Sequence, residues 1–586
     1  MKLSDYVFNF IVSNGIDTVF TVSGGGCMHL VDSLGRNKSL KYVCNHHEQA
    51  CAMAAEGYAR TSDKPGCILV TTGPGGTNAL TGVLCAYQDS IPMIVLSGQV
   101  PTEQLSNGTS CRQIGQQEFN IVDTVKTMTK YSVVVTDKNK IRYELEKAYH
   151  LATSGRPGPV WIDIPLDIQA SDINPSELDG FQVKNDFSYS IPSHIEKLET
   201  LKELLNKSKK PVIVVGGGVR SSLTTKQFNQ FVFDLEIPVM TGPHSSVDVV
   251  NTDYKYYAGR FGLLGQYTSN TIIQNSDLVI SIGSRLNPKM IGYDQSKFAP
   301  NATKVLIDVD SNEMKKLKFD SKVEWEIDLR DFFEIVNGKL EKQNIEEWRY
   351  YVLEMRSKEK LVLEKHYSLN EYVSTYVFSK KLENYLKDDS VIVTSDGTAH
   401  VVPLKTINLK SNQRLFSNEG TAPMGYGLPA AIGAHYGCNK PVICIEGDGS
   451  IMMNLQELET VRHNNIPIII FIINNDGYLS IKLTQNSFFK GNLVASEKSS
   501  GVSIPRFDLL SNVFGFNYLS INTNNEIDTV LNEVFNEQNT FPMIVEVFSD
   551  PNEQHEPKVV AKGIDENGKI IPGELTNMNI NIFEEN

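Results

Sequence analysis

The chain has 586 residues, of which 41% are hydrophobic and 21% charged, and its formal net charge is −14 at pH 7. This length is too great for a single hydrophobic core and predicts several domains of ordinary globular composition. The acidic balance argues against nucleic acid as a partner, because no basic field would attract a phosphate backbone.

The cysteines and the first residues bear on the expected compartment. Eight cysteines form no CxxC pair and no Cys/His pattern with zinc spacing, which predicts a reduced, cytoplasmic protein. Residues 1–15 place apolar side chains on one helical face, but Asp5 and Asn9 interrupt it. We therefore expect neither a signal peptide nor a membrane span there.

Residues 1–175 are predicted to form a first doubly wound α/β domain. Helical patterns alternate with short apolar runs, and glycine-rich turns follow at 23–26 and 73–76. The predicted strands are residues 19–22, 68–71, 94–96 and 160–164. The aperiodic stretch 171–195, with its Pro, Ser, Asp and Gly residues, is interpreted as a linker.

Residues 195–340 are predicted to form a central domain of the same class. Its predicted strands are residues 211–215, 278–282 and 305–309. Glycines follow the first two strands, and Asp308 lies at the end of the third. The charged helical stretch 340–375 is interpreted as a surface connector.

Residues 365–550 are predicted to form a third domain, and 551–586 a polar tail that either folds back or remains mobile. Within this domain, an apolar strand at 442–445 leads into a glycine turn, a helix and a second strand at 466–473. A strand–helix–strand unit places Asp448 and Asn475 at the carboxyl ends of adjacent parallel strands, the edge where open α/β sheets bind ligands.

The residue types at that edge suit a metal and a phosphate. A carboxylate and a carboxamide are hard oxygen ligands for Mg²⁺ shared with a phosphate, and the backbone N–H groups of Gly449 and Ser450 can hold a diphosphate. A structural βα turn is the alternative interpretation. The GDGS sequence followed 24 residues later by Asn474 and Asn475 disfavours it.

Five segments together carry a family resemblance: HHEQACAMAAEGYAR, TTGPGGTNALTG, GRPGPVWIDIPLDIQ, GTAPMGYGLPAAIGA and GDGS…NNDGY. In order and spacing the chain resembles the thiamine diphosphate (ThDP)-dependent enzymes of the acetolactate synthase-like family over nearly its whole length. The resemblance implies three doubly wound parallel-sheet domains: pyrimidine-binding, central and diphosphate-binding. It also implies a homodimer or a dimer of dimers with active sites between subunits.

The resemblance assigns the central roles by position. Glu48 alone would pass for an ordinary acidic residue in a first helical turn. By resemblance it is the catalytic glutamate that hydrogen-bonds the aminopyrimidine N1′ and so promotes loss of the thiazolium C2 proton. Asp448, Asn475 and the Gly477 carbonyl match the protein ligands of Mg²⁺.

Further positions match the cofactor and substrate contacts of the family. Met424 falls where a bulky apolar residue props the cofactor into a bent shape, although a methionine there could simply fill a core gap. His47 either contacts substrate or is structural. The remaining expected contacts are Gly397, Thr398, Gly447, Gly449, Ser450 and Tyr478 at the diphosphate end, Gly24 and Gly25 near the substrate, and Gln117 as a second catalytic residue.

The central domain resembles the part of acetolactate synthases that binds FAD. The glycine spacing after Arg260, together with Gly283, Arg285 and Asp308, matches FAD contacts, since glycines let a backbone approach the ligand closely. Altered ligands in this domain, or none, are the alternative.

The reaction expected from the resemblance is decarboxylation of a 2-keto acid such as pyruvate, with transfer of the acyl unit to a carbonyl acceptor. Residues 478–485 depart from the anabolic acetolactate synthases, which leaves a keto acid or a keto-sugar as acceptor. A segment at 485–505, together with the tail, is expected to cover the site. Two alternatives stay open: a ThDP-dependent decarboxylase, C–C hydrolase or flavin-linked oxidase, and a non-catalytic nucleotide-binding regulatory protein.

Overall fold

Three six-stranded parallel sheets, each with helices around it, make up most of the chain, as the predicted fold class requires. The computed structural model describes residues 1–106, 108–183, 191–244, 246–536, 542–564, 566 and 570–580. Part of the predicted linker 171–195 and part of the tail lie outside these residues.

The first sheet has the strand order 2-1-3-4-6-5. Its central strands are apolar and fully buried, as expected for parallel strands covered on both faces. The strands are β1 (Thr18–Thr21), β2 (Lys41–Cys44), β3 (Gly66–Val70), β4 (Met93–Gln99), β5 (Tyr131–Val134) and β6 (Pro159–Pro165). The helices are α1 (Leu3–Ser13), α2 (Met28–Arg36), α3 (Glu48–Ser62), α4 (Pro74–Gln88), α5 (Ile121–Val125), α6 (Ile141–Thr153) and α7 (Leu166–Ala170).

The second sheet has the strand order 12-11-10-7-8-9. The strands are β7 (Pro211–Val215), β8 (Val239–Thr241), β9 (Tyr257–Arg260), β10 (Leu278–Ile282), β11 (Thr303–Asp308) and β12 (Val323–Glu326). The helices are α8 (Ile191–Lys207), α9 (Gly218–Ser221), α10 (Thr225–Leu235), α11 (Tyr267–Gln274), α12 (Pro288–Ile291), α13 (Ser311–Lys315), α14 (Leu329–Val336), α15 (Glu346–Ser357) and α16 (Glu364–Tyr367).

The third sheet has the strand order 14-13-15-16-18-17. The strands are β13 (Val391–Thr394), β14 (Arg414–Phe416), β15 (Val442–Gly447), β16 (Ile468–Asn474), β17 (Asn517–Ile521) and β18 (Met543–Phe548). The helices are α17 (Thr375–Leu382), α18 (Thr398–Thr406), α19 (Gly427–Cys438), α20 (Asp448–Ile451), α21 (Glu457–Asn464), α22 (Leu479–Phe488), α23 (Phe507–Phe514) and α24 (Ile527–Val534). A short antiparallel pair, β19 (Gly563–Ile564) and β20 (Ile570–Ile571), lies in the tail.

Two sequence interpretations need correction. The helix predicted after the glycine turn is two helices, α20 and α21, separated by residues 452–456. The stretch 340–375 is not simply a surface connector, because α15 buries Trp348, Val352 and Met355 in the core of the second domain. The glutamates that suggested a connector lie on the outer face of this amphipathic helix, whereas Arg349 is 2% exposed and donates to the backbone carbonyls of Glu236 and Gln343.

The described part of the tail folds back onto the second domain. The Val559 N–H donates to the Leu263 carbonyl at 2.8 Å, and the Asn270 side-chain amide donates to the Leu575 carbonyl at 2.8 Å. Leu575 is 2% exposed within the core of that domain. Of the two alternatives for the tail, folding back is therefore the one observed here.

The first and third domains share one hydrophobic core through helices α3 and α19. Small residues bring the two backbones into contact. A Cβ on Gly433 would lie 1.7 Å from the Ala54 carbonyl oxygen, and one on Gly57 would lie 2.0 Å from the Ala430 carbonyl oxygen. This packing fixes the orientation of the two domains within one chain.

The substitution Gly433→Ala is expected to lower the free energy of unfolding by about 1–3 kcal/mol, because backbone at this crossing cannot yield to an added methyl group. Urea unfolding followed by circular dichroism measures the change. Gly35→Ala in α2 is the matched control, since its Cβ would meet nothing within 4 Å. An alanine at 433 as stable as the wild type would contradict the tight packing.

Candidate active site

Asp448 and Asn475 meet at the carboxyl edge of the third sheet, as the strand–helix–strand pattern predicted. Strands β15 and β16 are adjacent and parallel, with Gly447 opposite Ile473. One carboxylate oxygen of Asp448, Oδ2, accepts hydrogen bonds from the N–H groups of Asn475 at 3.1 Å and Gly477 at 3.0 Å. The loop after β16 is thus held against the glycine turn after β15.

This pocket fits a hard divalent cation. Asn475 Oδ1 is buried and has no hydrogen-bond partner among the described residues, so a Lewis-acidic partner would complete its coordination. Burial raises the pKa of Asp448 to about 7, and a cation beside the carboxylate would restore its ionised form. Gly477 has a φ of +133°, a conformation that L side chains rarely adopt. Carboxylate, amide and carbonyl oxygens are the donors that Mg²⁺ prefers.

The start of a short helix, with its backbone N–H groups, lies next to this pocket. Helix α20 begins at Asp448, so the N–H groups of Gly449 and Ser450 belong to its first turn. The Ser450 hydroxyl lies 2.6 Å from that of Ser395 and accepts from the Gly425 N–H at 2.8 Å. These bonds join the glycine turn to the end of β13 and to the segment that contains the half-buried Met424.

Two other expected contacts complete the edge. The ring of Tyr478 packs over Gly449, where a Cβ would lie 2.3 Å from the tyrosine Cε1. Gly397 precedes α18 with a φ of +64°, and a Cβ there would lie 3.6 Å from the Ser480 hydroxyl. A side chain at position 449 would therefore collide with the tyrosine ring, and the positive φ at position 397 favours glycine.

Thr398 is the first residue of α18 and is 4% exposed. Its hydroxyl lies 2.9 Å from Nε2 of His555 in the tail. Burial is the main cause that lowers the pKa of His555 to about 3, so this ring is neutral. The tail thus reaches the start of α18, a contact that no local sequence pattern predicted.

Glu48 lies at the edge of the first sheet as the first residue of α3, and it is 8% exposed. Its Oε2 accepts a hydrogen bond from the Asn78 side chain in α4 at 3.0 Å. Glu457 of the third domain holds the loop before α3, accepting from the His46 N–H at 2.9 Å and the Asn45 side chain at 2.8 Å. The carboxylate is therefore positioned by both domains.

The neighbouring candidates take different positions. Gly24 packs against Thr71, where a Cβ would approach to 2.5 Å, whereas Gly25 faces open space. Gln117 is exposed with a φ of +65°, and its backbone carbonyl packs against Gly73. His47 caps α3, because its Nδ1 accepts from the Gln49 N–H at 3.1 Å. This bond favours the structural interpretation of His47.

Sequence reasoning missed Asn78, although it lies within the segment TTGPGGTNALTG. The turn that begins α4 reaches the same sheet edge as Glu48, which is the signal that could have identified Asn78.

Asn78→Ala is expected to lower kcat about tenfold, the cost of one hydrogen bond to a charged group, with little change in cofactor affinity. Steady-state kinetics with a cofactor titration measures both, and Thr77→Ala is the control. Equal losses in the two variants would contradict the role of Asn78.

Three of the four expected flavin residues lie around a groove of about 450 Å³ between the first, second and third domains. Gly283, Arg285 and Asp308 line it, together with glycines 216–218 after β7. Burial raises the pKa of Asp308 to about 6. The Arg285 Nη1 donates to the Gln88 carbonyl at 2.8 Å, and its buried Nε lacks a hydrogen-bond partner in the described structure.

Arg260 does not lie in that groove. Its guanidinium is 2% exposed and donates to the carbonyls of Leu404 and Ile407, the latter at 2.7 Å. The side chain thus connects the second domain to the end of α18. Arg260 therefore lies outside the groove in which its contact with a flavin was expected.

Within the residues that the structure places, no helix is long and apolar enough to cross a membrane.

Comparison with known protein families finds three matching models. The N-terminal TPP binding domain of thiamine pyrophosphate enzymes matches residues 1–125, the central domain 198–334, and the C-terminal TPP binding domain 396–547.

Individual relatives match along most of the chain. The acetolactate synthase isozyme 2 large subunit of Escherichia coli (strain K12) is 30% identical over 560 residues, which cover 93% of this chain and 96% of that protein. The acetolactate synthase large subunit of Lactococcus lactis subsp. lactis (strain IL1403) is 30% identical, over 95% of this chain and 94% of its own length. The chloroplastic acetolactate synthase of Arabidopsis thaliana is 32% identical, over 84% and 72%.

Proposed function

Since the chain belongs to the ThDP-dependent enzymes of the acetolactate synthase-like family, we propose that it decarboxylates pyruvate or a similar 2-keto acid and transfers the acyl unit to a carbonyl acceptor. The observation that carries the proposal is the pairing of a buried, positioned glutamate at one sheet edge with a pocket of oxygen donors at another.

In this proposal the Asp448 end of the site binds the metal and the diphosphate, and the Glu48 end contacts the pyrimidine. Asp448, Asn475 and the Gly477 carbonyl would hold Mg²⁺, and the first turn of α20 would hold the diphosphate. Glu48 would share a proton with a pyrimidine nitrogen. When bound, ThDP supplies the carbon acid and the electron sink of the reaction. The side chain of Met424 and the ring of Tyr478 would exclude water from the reacting atoms.

The acceptor is a keto acid or a keto-sugar in this proposal. Helix α22 lies where the acetolactate synthase-like resemblance places specificity residues, and its sequence departs from theirs. Screening 2-keto acid donors against keto acids, aldehydes and keto-sugars, with mass detection of products, identifies the pair. Acetaldehyde or acetate as the sole product of pyruvate in every mixture would instead favour the decarboxylase, hydrolase or oxidase alternatives.

The groove of the second domain is proposed to bind FAD. The Nε of Arg285 makes no hydrogen bond within the described part of the chain and lies 3.8 Å from Glu313 Oε1, and the guanidinium would pair with a diphosphate oxygen. The glycines after β7 and β10 leave room for close approach of the ligand. The flavin absorbance of the purified protein tests this, with Arg285→Ala expected to reduce the flavin content. A colourless protein that acquires no flavin on incubation with FAD would overturn it.

Two copies of the chain are proposed to form each active site, as a homodimer or a dimer of dimers. The part of the site near Glu48 favours this assembly, because Asn78 is solvent-exposed in the single chain although it donates a hydrogen bond to the Glu48 carboxylate.

All eight cysteines are free thiols, and the cytoplasmic location stays a prediction.

A further inference from the structure

Three potential metal ligands converge where the second and third domains meet. His244 follows β8, His400 lies in α18, and Glu419 lies in the loop after β14. One ligand atom from each lies within 4.8 Å of the other two. The His400 Nε2 lies 2.9 Å from the Glu419 carboxylate, and the two imidazole rings are 4.9 Å apart between centroids.

His244 has no partner for either ring nitrogen. Its side chain is 3% exposed, and neither Nδ1 nor Nε2 makes a hydrogen bond within the described structure. Nδ1 of His400 is buried and unpartnered as well. Leaving a buried polar atom unpaired costs about 1–3 kcal/mol, so three such atoms in one cluster indicate that a binding partner belongs there.

The donor types at this cluster suit a metal. His244 and His400 offer imidazole nitrogens, and Glu419 offers carboxylate oxygens. Two imidazoles and one carboxylate form a typical donor set for zinc and its neighbours.

Two lysines also face the cluster. Lys289 Nζ lies 3.2 Å from Glu419, and its side chain is 53% exposed, so it is free to swing away. Lys405 is buried and donates to the Pro557 carbonyl. Burial lowers the pKa of Lys405 to about 7, which reduces the electrostatic repulsion between its amino group and a bound metal ion.

The three ligand atoms would have to move closer together to bind one ion. Ligand atoms around a tetrahedral zinc ion are about 3.4 Å apart, so the widest pair, at up to 4.8 Å, must close by about 1.4 Å.

We propose that His244, His400 and Glu419 bind one divalent transition-metal ion of the zinc class, at a site separate from the proposed Mg²⁺ pocket. His244 and Glu419 both line the interdomain groove, so a fourth coordination position would open towards it. A water molecule, or an oxygen atom of the groove ligand, would occupy that position. The proposal does not depend on the identity of the reaction.

Cobalt binding tests the site, because Co²⁺ replaces zinc and absorbs visible light when four-coordinate. The full-length protein is equilibrated with Co²⁺ in excess Mg²⁺, which occupies hard oxygen sites, and bound cobalt is measured by elemental analysis and visible spectroscopy. The expected result is one Co²⁺ per chain with a tetrahedral spectrum. His244→Ala and Glu419→Gln should each weaken binding at least tenfold, whereas the exposed His463→Ala should not.

Glu419→Gln keeps the size of the side chain and removes its charge, so it tests the site even if the alanine variant fails to fold. Native circular dichroism accompanies each titration. Absence of bound cobalt in the folded wild type, or equal cobalt binding by wild type and a folded Glu419→Gln variant, would overturn the proposal.

Discussion

Glu48→Gln is expected to lower kcat by about 10²–10⁴-fold, the range over which a positioned proton-transfer group contributes. The glutamine keeps the shape of the side chain and a hydrogen bond with Asn78 but cannot share a proton with a pyrimidine nitrogen. Affinity for ThDP and Mg²⁺ should change little, because the diphosphate end of the site is untouched. Product formation from pyruvate at saturating cofactor measures the effect.

The matched control for that substitution is Glu364→Gln. Glu364 is also the first residue of a helix, α16, but it is exposed. Any general effect of removing a carboxylate from a helix N-terminus, where the macrodipole favours negative charge, would appear in both variants. Full activity of Glu48→Gln would contradict the role proposed for Glu48, whereas absence of product even with the wild type would favour the alternative of a nucleotide-binding regulatory protein.

Asp448→Asn is expected to weaken Mg²⁺-dependent ThDP binding by at least about 100-fold, because losing even an outer-shell group costs 10–100-fold in metal affinity. The neutral amide loses the charge that attracts the cation. The variant should also loosen the loop after β16, since Oδ2 of Asp448 holds the Asn475 and Gly477 N–H groups. Isothermal titration of ThDP in the presence of Mg²⁺ reports the affinity.

Asp476→Asn serves as the control in the same loop. Asp476 is exposed, and its φ of +61° is one that asparagine also adopts readily. Its substitution should leave the ThDP affinity within about twofold. Equal ThDP affinity of Asp448→Asn and the wild type would contradict the assigned metal pocket.

The long buried strands were predictable because parallel strands covered on both faces are continuous apolar runs. Strands β7 and β10 have the bounds that their hydrophobic runs indicated. Strands at the sheet edges were not predicted. Strand β12 alternates buried and exposed residues, and β14 has three residues, so neither contains a run that stands out.

The positions of Asp448 and Asn475 followed from one strand–helix–strand unit, because local geometry alone brings its two carboxyl ends together. The contacts between domains had no such signal. Asn45 and Glu457 are 412 residues apart, yet their hydrogen bond holds the loop before Glu48. The meeting of His244 with His400 likewise depends on how two domains pack, which no local periodicity encodes.

The most direct test of the shared active site is activity of a mixed assembly made by coexpressing Glu48→Gln and Asp448→Asn chains. If one copy supplies Glu48 and the other Asp448, each mixed dimer contains one intact site and one doubly altered site. Random pairing then predicts recovery of about one quarter of wild-type activity, although each variant alone is nearly inactive. Recovery of none, with mixed dimers demonstrated by differential tags, would contradict an active site built from two chains.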